Sequence, residues 1–239
     1  RNTHTLPAEF ANRRANRGME GLAITPDEKT LVGIMQSTLY NPSSAVKNLD
    51  IVRIVTVELA TGTVSQYLYQ QEKAQNSQSG IVALSQSEFL VIERDGAFYN
   101  DNADAMKHLY KIDLTNATNL ETFSASGNQV QDANLGLTIN GETLEEVVLN
   151  SGWTSITNAG ITPVSKTMVA DLVAEFNYPH DKLEGMWLID NSRVGVLNDD
   201  DFATWASGGV LEQKYLDAGN TVIDGNTLYI LEGLDLGLN

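Results

Sequence analysis

Asn16-Arg17-Gly18-Met19-Glu20-Gly21-Leu22-Ala23-Ile24-Thr25-Pro26-Asp27, followed by Thr30-Leu31-Val32-Gly33-Ile34-Met35-Gln36, returns later in the chain. The second copy is Asp181-Lys182-Leu183-Glu184-Gly185-Met186-Trp187-Leu188-Ile189-Asp190 with Arg193-Val194-Gly195-Val196-Leu197-Asn198-Asp199. A fainter third copy is Ser79-Gly80-Ile81-Val82-Ala83-Leu84 with Glu88-Phe89-Leu90-Val91-Ile92-Glu93-Arg94-Asp95. Each unit is a polar residue and a glycine, an apolar strand, a tight turn, a second apolar strand and a polar end. Recurrent two-strand cores at irregular spacing point to an all-β fold, a β-propeller whose blades are four-stranded antiparallel meanders with innermost strands facing a central channel. A β-sandwich is the alternative.

Outward from these copies, short apolar or alternating runs bounded by Gly, Asp, Asn or Ser predict strands at 21–25, 30–35, 51–59, 64–70, 81–85, 89–94, 108–114, 186–190, 194–197, 222–224 and 227–231. Turn chemistry at 25–29, 60–63, 191–193 and 224–226 predicts tight links between antiparallel neighbours. Helical patterning is confined to 163–176 and 104–107. The stretch 116–162, rich in Asn, Ser, Thr and Gly with an amphipathic patch at 142–149, is expected to be an elaborated insertion in a single domain spanning 1–239. It is functional or mobile on one reading and a decorative hairpin pair on the other.

Composition narrows the partners. Fifteen Lys and Arg stand against 31 Asp and Glu, a net charge of −16. Such a surface repels phosphate backbones and anionic head groups, so neither nucleic acid nor a charged membrane surface is an expected partner. No apolar run reaches the 18 residues of a membrane span. The absence of cysteine removes disulfides, thiol nucleophiles, iron–sulfur clusters and thiolate zinc. The three histidines, His4, His108 and His180, lack the spacing of a helical zinc motif. Hard oxygen ligands are plentiful. The N-terminus does not read as a signal peptide, and an export signal is expected upstream.

The repeat gives these carboxylates a position. If Glu20 and Glu184 each open an innermost strand, radial repetition brings them to one rim of the channel. Carboxylates and amides converging there cannot all stay ionised without a cation, which makes a bound hard metal the expected solution. Calcium suits ligands drawn from separate blades, because it accepts six to eight oxygens in flexible geometry.

Asn16–Asp27, Val91-Ile92-Glu93-Arg94-Asp95-Gly96, Pro163–Leu172 and Asp181–Asp190 with Leu197-Asn198-Asp199-Asp200-Asp201-Phe202 resemble, in order and spacing, the phytase-like domain family, labelled esterase-like activity of phytase. The resemblance implies a secreted or periplasmic bacterial β-propeller with calcium-dependent phosphoester or ester hydrolase activity on a small molecule. The family motif reads Asn-Asp-Asn-Asp-Phe, so Asp200 adds a carboxylate where an amide is usual. At about 45 residues per blade the chain is short for a complete propeller, and N-terminal blade material is expected to be missing or the circle to close unusually.

No Gly-x-Ser-x-Gly elbow occurs, which disfavours α/β-hydrolase chemistry. A metal-assisted route needs no nucleophilic side chain. On that route Glu20, Glu184, Asn198 and Asp199 hold calcium, Asp199 or Glu93 acts as general base, and Arg17, Arg94 or Lys182 binds the anionic group. Each residue also has a plainer reading. Glu20 and Glu184 could pair with Arg17 or Lys182, Asn198–Asp201 could bond its own backbone, and Arg94 could neutralise its neighbours. His180, after Tyr178-Pro179, reads as a loop residue, with a proton shuttle as the alternative. Trp153, Trp187 and Trp205 fall in separate segments and predict no stacking platform. The competing function is a non-catalytic extracellular propeller with structural calcium, binding a partner chain, a surface polymer or another copy of itself.

Overall fold

A computed structural model describes residues 5–100, 102 and 104–238. Four strands, β1 (Met19–Ile24), β2 (Thr30–Met35), β3 (Ile51–Glu58) and β4 (Val64–Gln70), form a first antiparallel sheet in the order of the chain. The turn between β1 and β2 is fixed by Asp27, whose carboxylate accepts from the Thr25 hydroxyl at 2.7 Å and from the Lys29 amide at 3.2 Å. A second sheet follows with β5 (Ser77–Ala83), β6 (Glu88–Arg94) and β7 (Lys107–Asp113). The chain then leaves through β8 (Gln129–Asp132), β9 (Gly136–Ile139), β10 (Glu142–Thr143), α1 (Leu144–Ser151) and α2 (Trp153–Asn158). It returns as β11 (Ser165–Asp171) beside β7, completing the order β11-β7-β6-β5, and then turns into the short α3 (Leu172–Phe176). The third sheet is β12 (Gly185–Asp190), β13 (Arg193–Leu197) and β16 (Leu228–Leu231), with the hairpin β14 (Thr204–Ser207) and β15 (Val210–Gln213) inserted between β13 and β16.

The sheets stack face to face. Along β6 side chains alternate, so Phe89 and Val91 pack with Val32, Ile34, Val52 and Ile54 of the first sheet. Leu90 and Ile92 pack with Val194, Val196 and Leu231 of the third. A strand covered on both faces explains why Phe89-Leu90-Val91-Ile92 is uninterruptedly apolar. The first strands of the three sheets adjoin, β1 against β5 and β5 against β12. Gly21 permits the first approach, since a Cβ there would lie 2.6 Å from Ile34 Cγ2 and 3.1 Å from the Ile81 amide nitrogen. At the second, a Cβ on Gly80 would stand 3.4 Å from the Glu184 carbonyl. All-β architecture therefore stands, built from antiparallel sheets of up to four strands with few helices, and no sheet closes on itself among the described residues.

Three expectations are corrected. The stretch 163–176 is strand followed by a single helical turn or so, because Ser165–Asp171 finds a ladder partner in β7 and Asp171 then caps α3 by accepting from the Val173 and Ala174 amides. The stretch 104–107 is not a helix: Asp104 lies in a turn and Lys107 opens β7. The stretch 222–224 forms no ladder and makes one bridge, Ile223 to Tyr215.

The amphipathic patch is α1, started by a capping box in which the Thr143 hydroxyl accepts from the Glu146 amide and the Glu146 carboxylate accepts from the Thr143 amide. Its Leu144, Val147 and Val148 form a third core with Ile51 and Leu68 of the first sheet. A buried ion pair sits beside that core. Arg53 of β3 donates to Glu145 of α1 through Nε at 2.9 Å and Nη2 at 3.0 Å, and through Nη1 to Gln66 Oε1 at 2.9 Å.

Candidate functional site

The repeated polar-Gly step stands at the start of each first strand. In β1 the register skips at Glu20, and in β5 it skips at Ser79, so both residues sit in β-bulges that re-aim a side chain. Glu184 immediately precedes β12. Arg94, at the end of β6 and nearly enclosed, reaches across this edge. Its Nε donates to Ser79 Oγ at 3.3 Å, and its Nη2 pairs with Glu184 Oε1. The Ser79 hydroxyl donates onward to the Leu183 carbonyl at 2.6 Å. Arg17, ahead of β1, donates to Ser77 Oγ at 3.2 Å. Two residues apart on β5, the two serines hold the two guanidiniums.

A second cluster continues from Glu184. Lys182 Nζ lies 3.3 Å from Asp199 Oδ2 and 2.6 Å from Asp201 Oδ1. Burial raises the Glu184 pKa and the Asp199 charge adds to it, outweighing the opposing Arg94 guanidinium. Burial alone would lower Lys182, but its hydrogen bond to Asp201 and the charge of Asp199 raise it overall. Burial, then the charges of Arg14 and Arg94, hold Arg17 below the usual guanidinium range.

Five expected site residues thus come into one run: Arg17 beside Arg94, then Glu184, Lys182 and Asp199. Three others stand apart. Glu93 lies inside the molecule, where Oε2 accepts from the Tyr69 hydroxyl at 2.5 Å and Lys166 at 3.1 Å, and Oε1 from the Glu72 amide at 2.6 Å and Asn76 at 2.8 Å. Asn198 turns into another network, accepting from the Thr227 amide at 2.7 Å while its Nδ2 lies 3.2 Å from His180 Nδ1. Glu20 is exposed and makes no side-chain hydrogen bond or ion pair among the described residues.

Sequence reasoning missed the residues that brace this run. Ser79 had a signal, because Ser79-Gly80 occupies the place of Glu20-Gly21 and Glu184-Gly185 in the repeat. Lys214 had none. It is almost fully enclosed, with Nζ 2.9 Å from Asp181, 3.2 Å from Asp201 and 3.5 Å from Asp224. His180 is buried rather than a plain loop residue. Asp224 lies 2.5 Å from its Nδ1 and the Tyr229 hydroxyl 2.8 Å from its Nε2. His4 lies outside the described residues.

The donor set bears on calcium. Arg94, Lys182 and Lys214 interleave with Glu184, Asp199, Asp201, Asp181 and Asp224, so side-chain cations already supply the positive charge that a metal would bring. Among the described residues no three carboxylate or imidazole groups converge as a metal cage. As placed, these residues do not fit a calcium ion.

Stacked antiparallel sheets with a charged run at the start of their adjoining strands define an all-β scaffold protein with a mixed-charge site. The chain belongs to the phytase-like family, described as esterase-like activity of phytase, whose profile matches residues 1–202. No curated protein and no solved structure matches it. Among the described residues no helix is long and apolar enough to cross a membrane.

Proposed function

We propose that this chain is a hydrolase of phosphoesters or carboxylic esters on a propeller-type scaffold, acting at the run from Arg17 to Asp199. The observation that carries the reading is the arginine pair. In a chain of net charge −16, Arg17 is held by the neutral Ser77 and makes no ion pair among the described residues, while Arg94 beside it divides its guanidinium between Ser79 and Glu184. Arginine's planar fork matches a phosphoryl or carboxyl group, so an anionic oxygen is the natural occupant. The family's description supports hydrolysis, and the adjoining first strands of three stacked sheets support the propeller.

In this reading Arg17 and Arg94 bind the anionic or carbonyl oxygen and stabilise the charge that grows on it in the transition state. Asp199 takes a proton from water as the water oxygen bonds to phosphorus or to the carbonyl carbon. As the ester bond breaks, the leaving oxygen takes a proton from Glu184, whose raised pKa keeps the carboxyl proton within reach. Lys182 holds Asp199 in place. Glu93, enclosed by four donors, has no part in these steps.

The test is turnover of 4-nitrophenyl phosphate and 4-nitrophenyl acetate, with and without added calcium or chelator. Arg94→Gln should lower kcat/KM about 100-fold, the scale of losing one oxyanion donor. Turnover unchanged in both Arg94→Gln and Glu184→Gln would overturn the reading. Because side-chain cations already balance the carboxylates, chelation should leave the melting temperature unchanged, and a fall on chelation would instead restore a calcium site.

A further inference from the structure

Past Asp199 the backbone does something costly. Asp201, Phe202 and Ala203 all adopt left-handed conformations, with φ of 53°, 62° and 54°. Three consecutive non-glycine residues in this region are strained and persist only because the surrounding structure holds them. The effect is to place Phe202 outside the fold with 95% of its surface exposed. Asp200 caps this turn by accepting from the Phe202 amide at 2.9 Å and also from the Asn226 amide at 3.1 Å, which ties it to the irregular segment before β16. Phe202 is therefore displayed by an anchored turn.

Beside it lies a groove of about 520 Å³ lined by Asp199, Asp201, Phe202, Thr204, Trp205 and Leu211. Trp205, on β14, is half exposed, and its other side meets Phe98 edge-on with centroids 6.3 Å apart and planes at 84°. The groove thus has aromatic side chains that are positioned and yet open, and its polar end is the carboxylate pair that holds Lys182. It is continuous with the charged run.

We infer that this groove is the leaving-group subsite of the hydrolase proposed above and takes an aryl group, which lies against Phe202 and Trp205 while the acid end of the ester faces Lys182 and the arginines. The inference rests on that reading for its substrate, but not for its binding preference. Size, charge and chemistry agree on the occupant. The volume is within the range of small-molecule sites, about 300–1,000 Å³. Exposed aromatic faces favour a flat apolar ring, which stacks on them or meets them edge to face. An ester head attached to that ring meets, at the polar end of the groove, the Lys182 ammonium that Asp199 and Asp201 hold there.

Phenylphosphonate and methylphosphonate, which share a head group and cannot be hydrolysed, separate ring from head in titration calorimetry with the whole chain. Phenylphosphonate should bind about tenfold more tightly, and both Phe202→Ala and Trp205→Ala should reduce that preference to twofold or less while leaving methylphosphonate unchanged. Phe202 is exposed, so its substitution does not unfold the chain, and an unchanged melting temperature verifies this. Equal affinity for the two probes, absence of binding, or a preference that survives both substitutions overturns the subsite. A phenyl preference without ester turnover would leave the subsite standing and remove the hydrolase reading; turnover of aryl and methyl esters at equal rates would do the reverse.

Discussion

Two carboxylates in this chain titrate in opposite directions, and each predicts a different pH response. Glu184, raised by burial, binds its proton more tightly when folded than when unfolded. Its contribution to stability is complete below the unfolded carboxyl pKa of about 4.3 and is lost as pH rises through the folded value. Glu184→Gln should therefore flatten the decline in urea midpoint on the near-neutral side of that pKa. Asp190 is the reverse case. The hydrogen bond from Arg193 and that from the Ser192 amide pull it down to about 2. What it contributes is present above the unfolded value and lost as pH falls through about 2, and a carbon-detected titration should find that midpoint move up toward the ordinary range in Arg193→Ala. At this scale the sequence was legible in part. Arg94, Glu184, Lys182 and Asp199 announce themselves by position in the repeat, whereas adjacent Glu93 carries the same signal and points the other way, because neighbours along a strand face opposite sides.

Elements obey a simpler rule, since whatever has a ladder partner becomes strand. Nine of the strands expected from apolar alternation lie within two residues of β1–β4, β6, β7, β12, β13 and β16, because burial on one or both faces writes itself directly into the pattern. The region 163–176 misled because Met168, Val169, Ala170, Leu172 and Val173 also satisfy a helical period, and only the vacancy beside β7, which lies some 50 positions back, decides between them. Close approach of strands is legible as glycine. Gly21→Ala would drive a Cβ to 2.6 Å from Ile34 Cγ2 and 3.0 Å from Ile81 Cγ2, pressing β1 off both β2 and β5. A loss of about 1–3 kcal/mol is expected from such overpacking, to be read as a lowered urea midpoint with unchanged slope.

At the level of the whole molecule, the insertion is fastened to the first sheet by a buried charge pair as well as by its apolar helix face. Removing one partner with Glu145→Leu takes away the two-pronged acceptor of the Arg53 guanidinium, leaving it Gln66 and, at 3.6 Å, Glu9, and should cost about 3 kcal/mol. Arg53→Met combined with Glu145→Leu and Glu9→Gln should recover much of that loss, because an apolar pair replaces the ions and no buried carboxylate is left without its cation; equal losses in the single and triple substitutions would refute the assignment. None of this was visible in the sequence, where the two residues are 92 positions apart. A similar distance effect governs the end of the chain. The family profile stops at residue 202, yet Lys214, Asp224 and Tyr229 lie beyond it and hold His180, Asp181 and Asp201 in place, while β16 completes the third sheet. The part of this molecule that the family profile covers is thus not a unit that could be cut free: a designer trading the last 37 residues for other sequence would have to supply a cation, an acid and a hydroxyl at the same three points before the matched part could stand.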